Sequence, residues 1–164
     1  MATIKESADN SLLASSCEAG HSACCKDGYI FLPKKEFETV LQYLATQPKN
    51  LKEFRSRVTD FGNFLLYNQK TRCQFLLADE RCELHPLGIK PTECFWWPAH
   101  VYLADDGTLE IRVANCCSGC GLIQPNSPHV EKVAEQARTI GLPIITEFRR
   151  THSYGKDYRV VMKF

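Results

Sequence analysis

The residues of this chain best suited to chemistry are its nine cysteines, most of which fall in clusters. The densest stretch reads Cys73-Gln-Phe-Leu-Leu-Ala-Asp-Glu-Arg-Cys82-Glu-Leu-His85-Pro-Leu-Gly-Ile-Lys90-Pro91-Thr-Glu-Cys94-Phe-Trp-Trp-Pro98. Adjacent pairs precede it (Cys24, Cys25) and follow it (Cys116, Cys117). Thiolates are soft, strongly donating ligands, and several of them gathered in a reducing compartment select zinc, iron or an iron-sulfur cluster. Disulfide pairing of an odd number would leave one thiol over, whereas a metal site has no parity rule.

Only Cys117-x-x-Cys120 has the close-pair form of a zinc finger, so a simple zinc ribbon is not indicated. Ligands on distant loops describe a site assembled by the tertiary fold. Cys24, Cys25, Cys73, Cys82, Cys94, Cys116, Cys117 and Cys120 would supply enough thiolates for two tetrahedral sites, a cluster plus a separate zinc, or one shared cluster. Neighbouring residues on an extended chain point opposite ways, so Cys24 and Cys25 serve two sites, or one serves a site and the other packs. His85 could ligate metal, hydrogen-bond to a ligand, or merely cap a turn. His100, His129 and His152 lie apart from the thiols and read as structural. Trp96 and Trp97 read as core wedges that would also shield a centre from water. Cys117 and Cys120 could instead form a redox dithiol, although Gly121, Pro125 and Pro128 delay the helix that such a pair normally precedes. No Ser-His-Asp order, phosphate-cradling glycine loop or dinucleotide fingerprint is present.

The elements that must position these groups follow from pattern. Tyr29 to Leu32 predicts a short strand, and Pro33 opens a helix with Phe37, Val40, Leu41 and Leu44 on one face, ending before Pro48. This helix is expected to cover the metal region. Leu51, Phe54 and Val58 predict a second helix. Phe64 to Tyr67 and Gln74 to Leu77 predict strands, with a turn at Asp79-Glu80-Arg81 that brings Cys73 and Cys82 close across a hairpin. Pro86, Gly88 and Pro91 predict an irregular, stiff loop up to Cys94. Asp105-Asp106-Gly107 marks the clearest hairpin turn, with Cys94 at one base and Cys116 at the other. Ser127-Pro128 opens a helix carrying Val130, Val133, Ala134, Ala137 and Ile140 and stopping at Gly141. Ile144 to Phe148 fits helix or strand, and Tyr158 to Phe164 predicts a strand. The expected fold is α+β: a small antiparallel sheet, two or three covering helices, and cysteine-rich loops around metal.

Residues 1–16 are polar and weakly patterned, an expected flexible arm before a single domain over 17–164. A formal charge of +1 without runs of Lys or Arg does not support a nucleic-acid or membrane partner. The start lacks a secretion-signal profile and no apolar run is long enough to span a bilayer, which places the protein in the cytoplasm as an expectation.

One order of features stands out. A cysteine cluster ends in Cys24-Cys25, a helix with an acidic start follows, then Cys73-x-Phe75-Leu76, a short turn, Cys82-x-Leu84-His85, Lys90-Pro91-x-x-Cys94 and an aromatic before Pro98. Over Cys17 to Pro98 this resembles the YkgJ-type family of zinc- or iron-chelating cysteine-cluster proteins, and the Cys116 to Cys120 group is similar to that of a related group of bacterial proteins. The resemblance implies metal binding through Cys24, Cys25, Cys73, Cys82 and Cys94. It also implies a possible iron-sulfur cluster of the four-iron, four-sulfur kind, as suggested for flagellin lysine N-methylases that share the cysteine pattern. In one departure, His21 stands near the place where the family has another cysteine between the leading one, here Cys17, and the pair. His21 in that role would suit zinc or a higher-potential cluster. Three functions are therefore expected in order: a metal-binding protein, an iron-sulfur enzyme or accessory protein in protein modification, and a thiol-disulfide oxidoreductase. No S-adenosylmethionine site is recognisable.

Overall fold

A computed structural model describes residues 23–115, 120–153 and 158–164. Cys17, His21, Cys116 and Cys117 lie outside the described residues, as does the expected arm. The described chain is α+β, with two small antiparallel sheets and five α-helices where one sheet and two or three helices were expected. Among the described residues no helix is long and apolar enough to cross a membrane.

The first sheet has the order β1 (Tyr29–Leu32), β3 (Leu65–Asn68), β2 (Val58–Asp60). Ile30 faces Tyr67 and Leu32 faces Leu65, while Phe31 faces Leu66 between them. Because side chains alternate along a strand, this register sends the two sets to opposite sides of the sheet. Ile30, Leu32, Leu65 and Tyr67 join one core, and Phe31 and Leu66 join another. Strands β1 and β3 thus bury both faces.

The core that holds Ile30 and Leu32 is closed by α1 (Lys34–Leu44), through Val40 and Leu44, and by α2 (Pro48–Ser56), through Phe54. Val58, expected on the second helix, instead opens β2 and pairs with Tyr67. The helix stops at Arg57, whose carbonyl accepts the Asn68 N–H at 2.8 Å. Phe75 and Leu84 complete this core from the long loop after β3.

That loop corrects two expectations. Gln74 to Leu77 is not a strand; only a single bridge, between Leu76 and Cys82, pairs across the turn. The Arg72 guanidinium donates to the Leu76 and Leu77 carbonyls at 3.2 and 2.8 Å, occupying acceptors that a partner strand would need. Nor is Cys94 in an irregular loop. It lies in a short helix, α3 (Thr92–Trp96), which starts directly after Pro91 because the Glu36 carboxylate of α1 accepts hydrogen bonds from the Thr92 N–H and hydroxyl.

The second sheet runs β4 (Ala99–Leu103), β5 (Leu109–Ala114), β6 (Tyr158–Lys163), and the β4–β5 hairpin turns at Asp105-Asp106-Gly107 as its sequence predicts. Gly107 takes φ of 83° there, a left-handed conformation that costs glycine little. Two helices cover the sheet. In α4 (Pro128–Ile140), Ser127 accepts the Val130 N–H at the N-terminus, and Gly141, with φ of 115°, ends the helix. The ambiguous tail then becomes α5 (Leu142–Thr151), burying Ile145 and Phe148. Trp96 fills this larger core, and its indole N–H donates to Gln136.

Candidate metal centre

Four of the cysteines border one space. Cys25, Cys73, Cys82 and Cys94 line a single cavity of about 30 Å³ together with Ile30, Leu32, Val40, Phe54, Phe75 and Leu84. They come from three elements: Cys25 ends the 3-10 turn Ala23–Cys25, Cys73 and Cys82 flank the turn of the long loop, and Cys94 stands on α3. The helix expected over this region does cover it, since Val40 of α1 forms part of the wall.

The loops are tied to one another by the backbone. Cys73 donates its N–H to the Cys25 carbonyl at 2.7 Å, Leu77 donates to Arg81 at 2.8 Å, and Glu83 donates to Phe75 at 2.8 Å. Lys26, next to Cys25, pairs with Glu80 in the turn between Cys73 and Cys82 at 3.0 Å. On the far side, the Cys94 N–H donates to the Pro91 carbonyl at 3.0 Å. These contacts hold the thiols from separate stretches to a common space.

Backbone dipoles also point at the sulfurs. The dipole of the Phe75 N–H acts on the Cys73 thiol, and those of the Leu84 and His85 N–H groups act on that of Cys82. The Tyr67 hydroxyl lies 3.6 Å from Cys73 Sγ. Such donors favour thiolate over thiol, but burial prevails. It pushes Cys73 up to about 11 and raises Cys82 and Cys94, and the mutual repulsion of the developing thiolates adds to it. Left to themselves, these groups stay protonated at neutral pH, and only a cation placed among them would reverse that. Tyr67 is pushed up likewise, first by burial and then by Cys73.

The donor set therefore suits a soft metal centre: thiols, N–H groups directed at sulfur, and apolar walls, with no carboxylate among the described lining residues. It is not a finished single-ion site. Among the described residues no group of three or more His, Cys, Asp or Glu side chains is arranged to hold a metal ion as it stands. The thiols share a cavity wall without closing on a point.

The remaining expected site residues divide. Cys24 is half-buried and is not among the cavity-lining residues, so of the adjacent pair Cys25 faces the shared space. Cys120 is buried in the other core, beside the second sheet. His85 is exposed, its ring 5.6 Å from that of Phe95, and its backbone N–H donates to the Cys82 carbonyl at 3.2 Å. His129 sits with Nε2 2.8 Å from the Trp96 carbonyl oxygen. No disulfide links the six described cysteines to one another. Set beside known proteins, the chain matches no family model, no curated protein and no solved structure.

Sequence reasoning missed the charged groups that anchor the site. Glu93, directly before Cys94, is 1 % exposed. It accepts from the Phe31 N–H of the first sheet and, at 2.7 Å, from Arg149 of α5, and His100 Nδ1 of β4 lies 3.7 Å away. Arg149 in turn donates to the Val101 carbonyl. Thus the residue before a cavity cysteine joins both sheets and a helix. A carboxylate set in Glu93-Cys94-Phe95-Trp96-Trp97, among bulky apolar neighbours, was the available signal.

Proposed function

We propose that this chain is a metal-binding protein whose centre is held by Cys25, Cys73, Cys82 and Cys94. The observation that carries the proposal is their convergence: four thiols, as much as 69 positions apart in sequence, border one apolar cavity, and backbone N–H dipoles act on two of them, Cys73 and Cys82. A buried cysteine can serve simply as a small apolar side chain. That role explains no N–H directed at sulfur and no gathering of four thiols whose thiolates repel one another.

An iron-sulfur cluster is the reading these residues favour over a single zinc ion. Cluster ligands stand around an extended inorganic core, which suits thiols spread over a cavity wall, whereas tetrahedral zinc would require the loops to close until each sulfur lay about 2.3 Å from one ion. Bound there, a cluster would supply electron transfer or a Lewis-acidic iron; the residues around it exclude water and direct N–H dipoles at the sulfurs. Zinc in a structural role is the second reading. Membership of the YkgJ-type family belongs to the same proposal and rests on the order of its motif residues. A part in protein modification is a further step that rests on that resemblance.

The test is anaerobic purification with elemental analysis and a visible spectrum. Iron and acid-labile sulfide with broad visible absorption support the cluster, and colourless stoichiometric zinc supports the second reading. A metal-free chain that takes up neither on reconstitution overturns both.

A further inference from the structure

The short helix α3 bridges the two cores. Cys94 packs against the smaller one, and Trp96, two residues on and 1 % exposed, is buried in the larger. The end of α3 that carries Trp96 is gripped twice from α4. The Trp96 indole N–H donates to Gln136 Oε1 at 3.0 Å, and His129 Nε2 lies 2.8 Å from the Trp96 carbonyl oxygen. A carbonyl oxygen only accepts, so Nε2 carries the proton and donates. His129 and Gln136 stand about two turns apart on α4 and line one small pocket beside Phe95, so they share a face of that helix. Earlier positions of α3 are held too, Thr92 by Glu36 and Glu93 by the Phe31 N–H and Arg149. The other three cavity thiols sit on a 3-10 turn and a long loop, tied to one another by the Cys73 N–H at the Cys25 carbonyl and by the bridge between Leu76 and Cys82.

We propose that His129 and Gln136 are positioning residues for Cys94, and that their grip on Trp96 sets the span of the centre, favouring an extended cluster over a single ion. The inference rests on the metal-binding reading above and deepens it. A single zinc ion draws four sulfurs to one point, each about 2.3 Å away. The described thiols are not closed in that way, so α3 and the tied loops would have to approach each other. Phe75 and Leu84 anchor the loops in the smaller core. Moving α3 instead drags Trp96 through a close-packed core and breaks both bonds to α4. A cluster, whose inorganic core fills the space between the ligands, needs no such approach.

The experiment compares the full chain with Gln136→Leu, His129→Leu and Gln136→Glu, the last of which keeps an oxygen acceptor for the indole. Each is measured for cobalt(II) affinity, in competition with a chelator, and for iron and sulfide taken up per chain on anaerobic reconstitution. Thermal unfolding checks that all are folded. Gln136→Leu and His129→Leu are expected to bind cobalt roughly 10-fold more tightly than wild type while taking up less iron and sulfide, with Gln136→Glu close to wild type in both. A merely structural role would weaken both kinds of loading together. That result, or no change in either, overturns the proposal and leaves the metal reading standing. So does a wild type that takes cobalt but no cluster. A wild type that takes up neither overturns the metal reading and the proposal with it. If a leucine variant unfolds, Trp96→Phe, which removes the indole donor and keeps an aromatic ring, takes its place under the same criteria.

Discussion

At the scale of single residues, what surrounds a sulfur decides what the cysteine does. Cys73 borders the cavity with a hydroxyl and a backbone N–H beside its thiol, whereas Cys120 is buried among the apolar side chains of the larger core. Serine in place of Cys25, Cys73, Cys82 or Cys94 is therefore expected to remove most bound metal as read by elemental analysis. Cys120→Ser should keep full metal content while losing about 1–3 kcal/mol of stability in denaturant unfolding, since it buries a hydroxyl in a site shaped for an apolar group. Equal metal loss from all five variants would mean that the cavity has no special part. Much of this set was legible from spacing alone: Cys73, Cys82 and Cys94 lie within one turn-rich stretch, and a hydrophobic helix before it was expected to cover them. Which member of the Cys24-Cys25 pair faces the cavity was not legible, because a 3-10 turn rather than strand alternation aims them. Glu93 was illegible for another reason. Its meaning depends on groups far away in sequence, such as Phe31 and Arg149, that only the folded chain brings near.

Among the elements, the short helix α3 depends on its neighbour. It has no side-chain cap of its own, and Pro91 removes one N–H, so the Glu36 carboxylate of α1 does the capping from 56 positions away. Glu36→Ala is expected to cost about 1–3 kcal/mol by leaving the Thr92 N–H and hydroxyl partly buried without their acceptor. It should also weaken metal binding, because Cys94 rides on that helix. An alanine variant with unchanged metal affinity would show that α3 is held in place by packing alone. Backbone conformation supplies a second case at Gly28. Its φ of 121° is strained for any L side chain, and an added Cβ would lie 3.4 Å from Gln69 Oε1, a residue of the cavity wall. Gly28→Ala should destabilise the chain by about 1–3 kcal/mol in urea unfolding; a neutral result would mean that the turn relaxes freely. The hairpin and the two longest helices, α4 and α1, were readable in the sequence because each carries a sustained period and a local stop signal, whereas α5 fitted helix or strand equally well. The false strand at Gln74 to Leu77 has the right composition for one, but Arg72 diverts its carbonyls, and no periodicity argument contains a long-range side chain acting as cap.

At the scale of the whole molecule, two apolar cores share the first sheet, and the buried group that spans them is Glu93 with Arg149 and His100. Burial pushes the Glu93 carboxyl up, but the positive charge of Arg149, with the His100 ring nearby and the Phe31 N–H donating to the carboxylate, outweighs it, so the group ends below its usual 4.5. His100 moves below its usual 6.5, because burial disfavours the imidazolium more than Glu93 supports it. The signs give two acid steps. As pH falls below about 6.5 the unfolded chain binds a proton at His100 that the folded chain refuses, so stability declines by up to about 1.4 kcal/mol per pH unit until the folded value is reached. The contribution of Glu93 is whole above about 4.5 and is lost as pH falls through its lowered folded value. His152 shifts in the same direction as His100, from burial first and Arg149 second, so it must be separated by its own variant. His100→Gln, measured by urea unfolding in the same metal state as wild type, is expected to flatten the decline in stability that begins below about pH 6.5 and to leave the loss below about 4.5. His152→Gln, at a more exposed position, should flatten it less. Retention of the full upper slope in His100→Gln would assign that step to another group and show that the ion pair joining the two cores keeps its charge balance without the imidazole.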